Sequence, residues 1–168
     1  RRDFTINAIY LDRKGRLFDP QSGINDLKNR KIKFIGEPSK RIEEDYLRII
    51  RFIRFSLHYN DLSLEESTLK AIKLNLNGIK NLSKERILNE LLKIIKLNNF
   101  EEILLNDNLK NIFSLIFPEF KYLNRLKKIS ILKKHKSIRV DDEIILACLL
   151  IDEKDNHEYF SHKYKVSN

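Results

Sequence analysis

The chain has 168 residues and carries 33 Lys or Arg against 24 Asp or Glu, a formal net charge of +9 that favours an anionic partner. Hydrophobic residues make up 42% with only four Gly and three Pro, which suits one domain or two small ones and excludes a disordered or fibrous chain. No run approaches the roughly eighteen apolar residues of a membrane span, and a lone Cys148 excludes an internally disulfide-linked scaffold.

In chain order, the sequence contains no Met and opens abruptly on Arg1-Arg2-Asp3-Phe4-Thr5 without a signal segment, which reads as a piece of a longer chain. Ala8-Ile9-Tyr10-Leu11 and Leu17-Phe18 flank Asp12-Arg13-Lys14-Gly15, a hairpin signal. Asp19-Pro20 closes the second strand. Ser22 or Gly23 then opens a short helix to Arg30, with Asp26 in its first turn and Gly23 expected to supply a backbone conformation other residues resist. Ile32-Phe34-Ile35 reads as a third strand, ended by Gly36-Glu37-Pro38.

After Pro38 the period turns helical. Ser39 is an expected N-cap, with Glu43 and Glu44 near the positive end of the helix, and Leu47, Ile50, Ile53 and Leu57 form one apolar stripe. Ser63 is expected to cap a helix to about Leu74, and Ser83 to start one ended by Asn98-Asn99. Further helices are expected over Phe100 to Leu105, Leu109 to Phe117, Phe120 to Leu132 and Asp142 to Ile151, with Pro118 beginning or breaking one. The fold class is α+β and mainly α, a short hairpin and strand feeding helices.

Three groups carry chemistry. If Glu44 to Phe55 is one helix, Asp45 and Arg48 lie one turn apart on one face. They are either a surface ion pair worth about 0.2–0.5 kcal/mol or an acceptor beside a planar donor fork, facing a base edge as a nucleotide would. Arg51, Arg54 and interleaved aromatics favour the second reading. Arg2 and Asp3 again set a donor beside an acceptor, suited to phosphate and ribose, or else form a solvated terminus. Lys121, Arg125, Lys127, Lys128, Lys133, Lys134, Lys136 and Arg139 fill an acid-free stretch that is either a solvated helix face or a phosphate-tracking surface. Asp141-Asp142-Glu143 reads as ordinary first-turn acids, and His135, His157 and His162 lack metal-ligand spacing with Cys148.

The order of segments carries a resemblance. Arg1-Arg2-Asp3-Phe4-Thr5-Ile6-Asn7-Ala8 comes first, then Asp19-Pro20 with Gly23 and Asp26-Leu27, then Ile35-Gly36-Glu37-Pro38 with Arg41. Glu44-Asp45-x-x-Arg48 with Arg51 and Arg54-Phe55 follows, and then Leu82-Ser83-x-Glu85-Arg86-Ile87 with Glu90-Leu91. This closely resembles the class II (bacterial-type) tRNA nucleotidyltransferases, the CCA-adding enzymes, and their relatives the bacterial poly(A) polymerases. The match covers residues 1–91; no motif is matched after Asn99.

The resemblance implies that residues 1–37 end a nucleotidyltransferase head (palm), residues 38–100 form a nucleotide-selecting helical neck, and residues 101–168 form an RNA-binding body and the start of a tail. It implies that Asp45 and Arg48 hydrogen-bond the base of CTP or ATP, and that Arg2 and Asp3 contact sugar and phosphate with Asn7 nearby. Gly23 and Asp26 would belong to a pocket hinge; Arg41, Arg51 and Arg54 would line the neck near the triphosphate or brace it; Glu85, Arg86 and Glu90 would stabilise neck helices. The Gly-Ser loop and the paired carboxylates that hold Mg²⁺ would lie upstream, so no catalytic or metal residue is expected in this piece, which alone would be inactive. The whole protein would add CMP and AMP to the 3′ end of tRNA, in a bacterial cytoplasm or an organelle matrix. The rivals are a poly(A) polymerase or A-/CC-adding relative and, from another class, a non-catalytic RNA-binding module.

Overall fold

The computed structural model describes residues 2–134 and 140–166, with the Lys134 side chain left out. Lys136, Arg139 and His135, and the Lys134 side chain, lie outside the described residues. The chain divides into two compact units, Arg1–Leu82 and Ser83–Asn168.

In the first unit Asp12 folds the hairpin. Its carboxylate accepts the Lys14 and Arg16 amides at 2.8 Å each and the Arg16 Nε at 2.7 Å, and Gly15 takes a φ of +77°. Strands β1 (Tyr10–Leu11) and β2 (Leu17–Phe18) then pair antiparallel, as expected, with Tyr10 opposite Phe18 and Leu11 opposite Leu17. The expected third strand shrinks to one bridge between Phe4 and Phe34. The ladder stops there because its partner segment turns into a 3₁₀ helix at Thr5–Asn7. Phe4 is fully buried against the rings of Phe34, Phe52 and Phe55.

Helix α1 (Gly23–Lys28) opens where the Asp19 carboxylate accepts the Gly23 and Ile24 amides at 2.8 and 2.9 Å. The expectation for Gly23 needs correcting. The left-handed residue is Ser22, at φ 54°, whereas a Cβ on Gly23 would stand 2.2 Å from the Thr5 carbonyl oxygen. Gly23 is there for close approach, not for an unusual φ.

Helix α2 (Pro38–Glu44) starts at Pro38 with Glu37 before it, so Ser39 is not the N-cap. Proline's fixed φ and missing donor fit the first helical position. The helix expected from Glu44 through Phe55 is broken. Asp45 is extended at φ −161°, ψ 103°, and α3 (Leu47–Tyr59) begins two residues later. The cause is local: the Asp45 carboxylate accepts the Leu47 amide at 3.2 Å and its carbonyl accepts the Arg48 amide at 3.0 Å, a competition typical of aspartate. Leu47, Ile50, Ile53 and Leu57 are buried as the period requires, with Ile49 and Phe52 beside them. Tyr46 packs against Gly78, where an added Cβ would meet the ring at 2.2 Å. Helix α4 (Glu66–Asn75) starts after Glu65 rather than at Ser63, whose carbonyl and hydroxyl are taken by Lys31.

In the second unit Ser83 does cap α5 (Lys84–Ile95), accepting the Arg86 amide, but the helix ends before Asn98-Asn99. Phe100–Leu105 winds as a 3₁₀ helix, and Asn106 then caps α6 (Asp107–Ile116) through the Leu109 amide at 3.0 Å. In place of one helix from Phe120, a 3₁₀ turn Leu123–Arg125 leads into α7 (Leu126–Lys134). Asp141 caps α8 (Asp142–Leu150), placing Asp142 and Glu143 in its first turn as expected, and α9 is Asn156–Tyr164. Phe100, Phe113, Phe117, Phe120 and Phe160 form a continuous buried aromatic core. Glu119, also buried, pairs with Lys163, while Asn156 Nδ2 donates to the Glu119 and Leu150 carbonyls at 3.0 and 2.7 Å. The architecture is mainly helical with one short hairpin.

Candidate functional site

The first unit gathers a charged network around Asp3, which is 5% exposed. Arg48 Nε donates to Asp3 Oδ1 at 2.8 Å, and Arg51 Nη1 stands 2.7 Å from Oδ2 as an ion pair without hydrogen-bond geometry. Arg48 Nη1 donates to the Arg41 carbonyl and, at 2.9 Å, to Glu44 Oε2. Arg41 in turn pairs with Glu44 and donates through Nη2 to the Arg2 carbonyl at 2.7 Å. The break between α2 and α3 builds this geometry. It lets Arg41 and Glu44, near the end of one helix, meet Arg48 in the first turn of the next.

Among the described residues, the guanidinium groups of Arg41, Arg48 and Arg51 meet the carboxylates of Asp3 and Glu44 in this network. Burial opposes the charge on Arg48, but its hydrogen bonds to Asp3 and Glu44 and their negative charges outweigh burial and hold its pKa above the ordinary value. The Nε atoms of Arg41 and Arg51 are buried and have no hydrogen-bond partner among the described residues. Arg41 lines an open cleft of about 450 Å³ with Arg2, Ala8, Tyr10, Gln21 and Glu44. Arg2 and Arg41 at the adjoining cleft suit an anionic ligand.

Of the other residues singled out, Asp45 is half-buried in the link between α2 and α3, and the Arg48 amide rests on its carbonyl. The two are therefore neighbours, although not one turn apart on a single helix. Asn7 is half-buried in the 3₁₀ turn. Arg54 lies 4.4 Å above the Phe55 ring. Asp26 is buried, accepts Thr5 Oγ1 at 2.7 Å and pairs with Lys33 at 3.1 Å. The hydrogen bond of Lys33 to Asp26 and then the Asp26 charge raise the Lys33 pKa; burial opposes them, and Glu65 adds a lesser rise.

In the second unit Glu85 and Arg86 are exposed, whereas Glu90 is buried and accepts Lys93 Nζ at 2.8 Å. Lys121 pairs with Asp152 at 3.3 Å, and Arg125 stacks over Tyr122 while donating to the Cys148 and Ile151 carbonyls at 2.8 Å each. Both spend donors on their own unit. Lys127 and Lys128 are exposed and Lys133 partly exposed on α7.

Sequence reasoning missed Glu44 as a site residue, although it stands in the Glu-Asp-x-x-Arg run, and missed Tyr10 and Gln21 at the cleft, for which no spacing signal exists. Among the described residues no three His, Cys, Asp or Glu side chains come together to hold a metal, so the residues present do not fit a Mg²⁺ site. No helix among them is long and apolar enough to cross a membrane.

Comparison with known proteins adds to this geometry. Residues 1–33 match the family model described as the poly A polymerase head domain, and residues 61–123 the one described as a probable RNA and SrmB-binding site of polymerase A. The chain is 35% identical over 169 residues to the CCA-adding enzyme of Staphylococcus epidermidis, covering 100% of this chain and 40% of that protein. It is 44% identical over 109 residues to the mitochondrial CCA tRNA nucleotidyltransferase 1 of Danio rerio, covering 62% of this chain and 25% of that protein. A solved tRNA-processing enzyme with CTP superposes with a TM-score of 0.76 at 26% identity, over 99% of this chain and 50% of that one. The chain thus spans half or less of the length of these relatives.

Proposed function

For a chain that belongs to the family of CCA-adding enzymes and poly(A) polymerases, we propose that these residues form the nucleotide-selecting part of an enzyme adding CMP and AMP to the 3′ end of tRNA. In this reading residues 1–37 complete the head, residues 38–100 are the neck and residues 101–168 are an RNA-binding body. The observation that carries it is the Arg41–Glu44–Arg48–Asp3 network, in which Asp3, Arg41 and Arg48 are buried and exposed Glu44 stands with Arg41 at an arginine-lined cleft. The Danio rerio relative is a CCA tRNA nucleotidyltransferase, and one solved neighbour is a tRNA-processing enzyme with CTP.

The division of labour follows from the chemistry of each side chain. Asp3 and Glu44 grip the Arg48 guanidinium from two sides, so its planar fork is set before a ligand arrives, which lowers the ordering cost of binding. Asp45 offers acceptors and Arg48 donors to one base edge, so bases are told apart by protein groups instead of a template strand. Arg2 and Arg41 at the cleft face the triphosphate, and Arg51 and Arg54 brace or extend this positive surface. Gly23 and Asp26 form the hinge element, and Glu85, Arg86 and Glu90 on α5 stabilise the neck helices. Lys121, Arg125, Lys127, Lys128, Lys133, Lys134, Lys136 and Arg139 track the RNA backbone, with strong salt dependence as the signature. Mg²⁺ would be held by carboxylates beyond these 168 residues. The site of action is a bacterial cytoplasm or an organelle matrix.

The test is extension of a tRNA lacking its 3′ end by the intact protein with CTP and ATP. Growth by CMP and then AMP that stops supports the proposal, and an open-ended ladder from ATP alone replaces it with poly(A) addition. Binding of RNA without extension by any nucleotide overturns the enzyme reading.

A further inference from the structure

Asp45 and Tyr46 make up the link between α2 and α3, and a segment more than thirty residues further on holds that link in place. The Asp45 amide donates to the Ile42 carbonyl at 3.1 Å, and its carbonyl accepts the Arg48 amide at 3.0 Å. Tyr46 leads into α3, its carbonyl accepting the Ile49 amide at 3.1 Å. Its ring lies against Gly78 in the 3₁₀ helix Leu76–Asn81, which continues from α4. The approach is so close that a Cβ on Gly78 would stand 2.2 Å from Cδ1 and Cε1 of the ring and 2.4 Å from Cζ. The φ of Gly78 is not positive, so the fold uses the bare surface of this glycine and not its backbone freedom. A second tie runs alongside: Asn75 Nδ2, at the end of α4, donates to Ser39 Oγ of α2 at 3.2 Å and to the Ala71 carbonyl at 3.0 Å. Helix α4 and its 3₁₀ extension, anchored in the core by Ile72 and Ile79, thus brace both α2 and the link.

We propose that Gly78 is a positioning residue for base choice: it seats the Tyr46 ring and thereby fixes the backbone from which Asp45 is presented beside Arg48. This role rests on the reading in which Asp45 and Arg48 select the base. The two halves of that pair have separate supports. Arg48 is held by Asp3 and Glu44, whereas the chain at Asp45 is held by the seat of its neighbour. A methyl at position 78 leaves two ways out: the ring quits its seat, or the backbone of Asp45 and Tyr46 shifts with it. Either one moves the acceptor while the donor fork stays, and the spacing that tells one base edge from another is lost. Arg2 and Arg41 at the cleft are untouched, so the grip on the triphosphate persists.

The experiment offers the intact protein all four nucleoside triphosphates with a tRNA lacking its 3′ end. It reads the ratio of C and A to G and U incorporated, and the affinity for CTP. In Gly78→Ala the ratio falls about tenfold or more, since misplacing a positioned group by roughly an ångström costs up to ~100-fold, and CTP affinity falls much less. Tyr46→Ala, which empties the seat without overfilling it, lowers the ratio too, and Tyr46→Phe, which keeps the ring, does not. Adding Gly78→Ala to Tyr46→Ala lowers it no further, because no ring is left to displace. A Gly78→Ala protein that melts lower yet chooses C and A as sharply as the parent overturns the seat. So does a ratio that Gly78→Ala lowers equally with and without the Tyr46 ring. Should Gly78→Ala not fold, equal ratios in Tyr46→Ala and Tyr46→Phe overturn it as well. Asp45→Ala separates the two levels: choice lost there but kept in Gly78→Ala sinks the seat alone, and choice kept in both sinks the base-reading proposal and the seat with it.

Discussion

Arg48 reaches across 45 positions of sequence to donate through Nε to Asp3 at 2.8 Å, with both side chains less than a tenth exposed. A buried ion pair of this kind adds little net stability over an apolar pair, because desolvation of two charges offsets their attraction. Breaking it from one side is another matter, since the remaining charge is stranded in a poor solvent. The pair therefore fixes an arrangement: it ties the start of the chain to the first turn of α3 and holds a guanidinium fork beside the cleft.

Asp3→Ala accordingly destabilises the fold by about 3–5 kcal/mol, the range for stranding one partner of a buried pair. Arg48→Met alone costs a comparable amount, and the double variant costs less than the sum, by a coupling of about 0.5–3 kcal/mol. Denaturant unfolding of the four proteins measures this cycle. Strict additivity would mean that Asp3 and Arg48 do not depend on each other.

Gly23→Ala places a methyl 2.2 Å from the Thr5 carbonyl oxygen, a backbone atom that cannot swing aside. A loss of about 1–3 kcal/mol is expected, as for overpacking. Ser22→Gly instead relieves the left-handed φ of 54° next door and changes stability little or upward. Melting curves of the two variants separate close approach from backbone freedom, and a neutral Gly23→Ala would refute the close-approach account.

Both lessons show what was legible from the residues. The hairpin followed from Asp12-Arg13-Lys14-Gly15, the α3 stripe from its period, and the start of α5 at Ser83 from local chemistry, whereas Asp141, read as a first-turn acid, is the cap of α8. The break at Asp45 was hidden because helical period runs straight through it, and only the capping of Leu47 decides against continuity. Gly23 could be seen to be special, but its reason depends on a carbonyl eighteen residues away. The Asp3–Arg48 pair joins two motifs that the sequence reading kept apart, because no local spacing encodes a contact of that range.

Alkaline stability tests the Asp26–Lys33 pair. The Lys33 pKa is raised above 10.5 by the hydrogen bond to Asp26 and then by the charges of Asp26 and Glu65. A raised cation stabilises the fold below its unfolded value, and that contribution is lost as pH rises through the higher folded value. Lys33→Met should be less stable than the parent at neutral pH, with the gap narrowing above about pH 10.5. A gap that is constant across this window, read from melting temperatures, would mean that Lys33 acts through packing alone.

Glu119 offers a second pH observable. The Tyr164 hydroxyl is pushed well up by burial, and further by the charges of Glu119 and Tyr159. Glu119→Gln removes one of those charges and lowers the Tyr164 pKa while weakening the tie to Lys163. Titration of tyrosinate absorbance, with Tyr164→Phe to identify the residue, should show the buried hydroxyl ionising at lower pH in Glu119→Gln. An unmoved titration would place Glu119 outside its electrostatic reach.

Base choice by Asp45 and Arg48 is the central claim, and it is tested most directly by offering the intact protein all four nucleoside triphosphates with a tRNA lacking its 3′ end. The parent should incorporate C and A and refuse G and U, and Asp45→Ala should lose that preference while triphosphate affinity falls much less. An Asp45→Ala protein that still selects C and A as sharply as the parent would contradict the account.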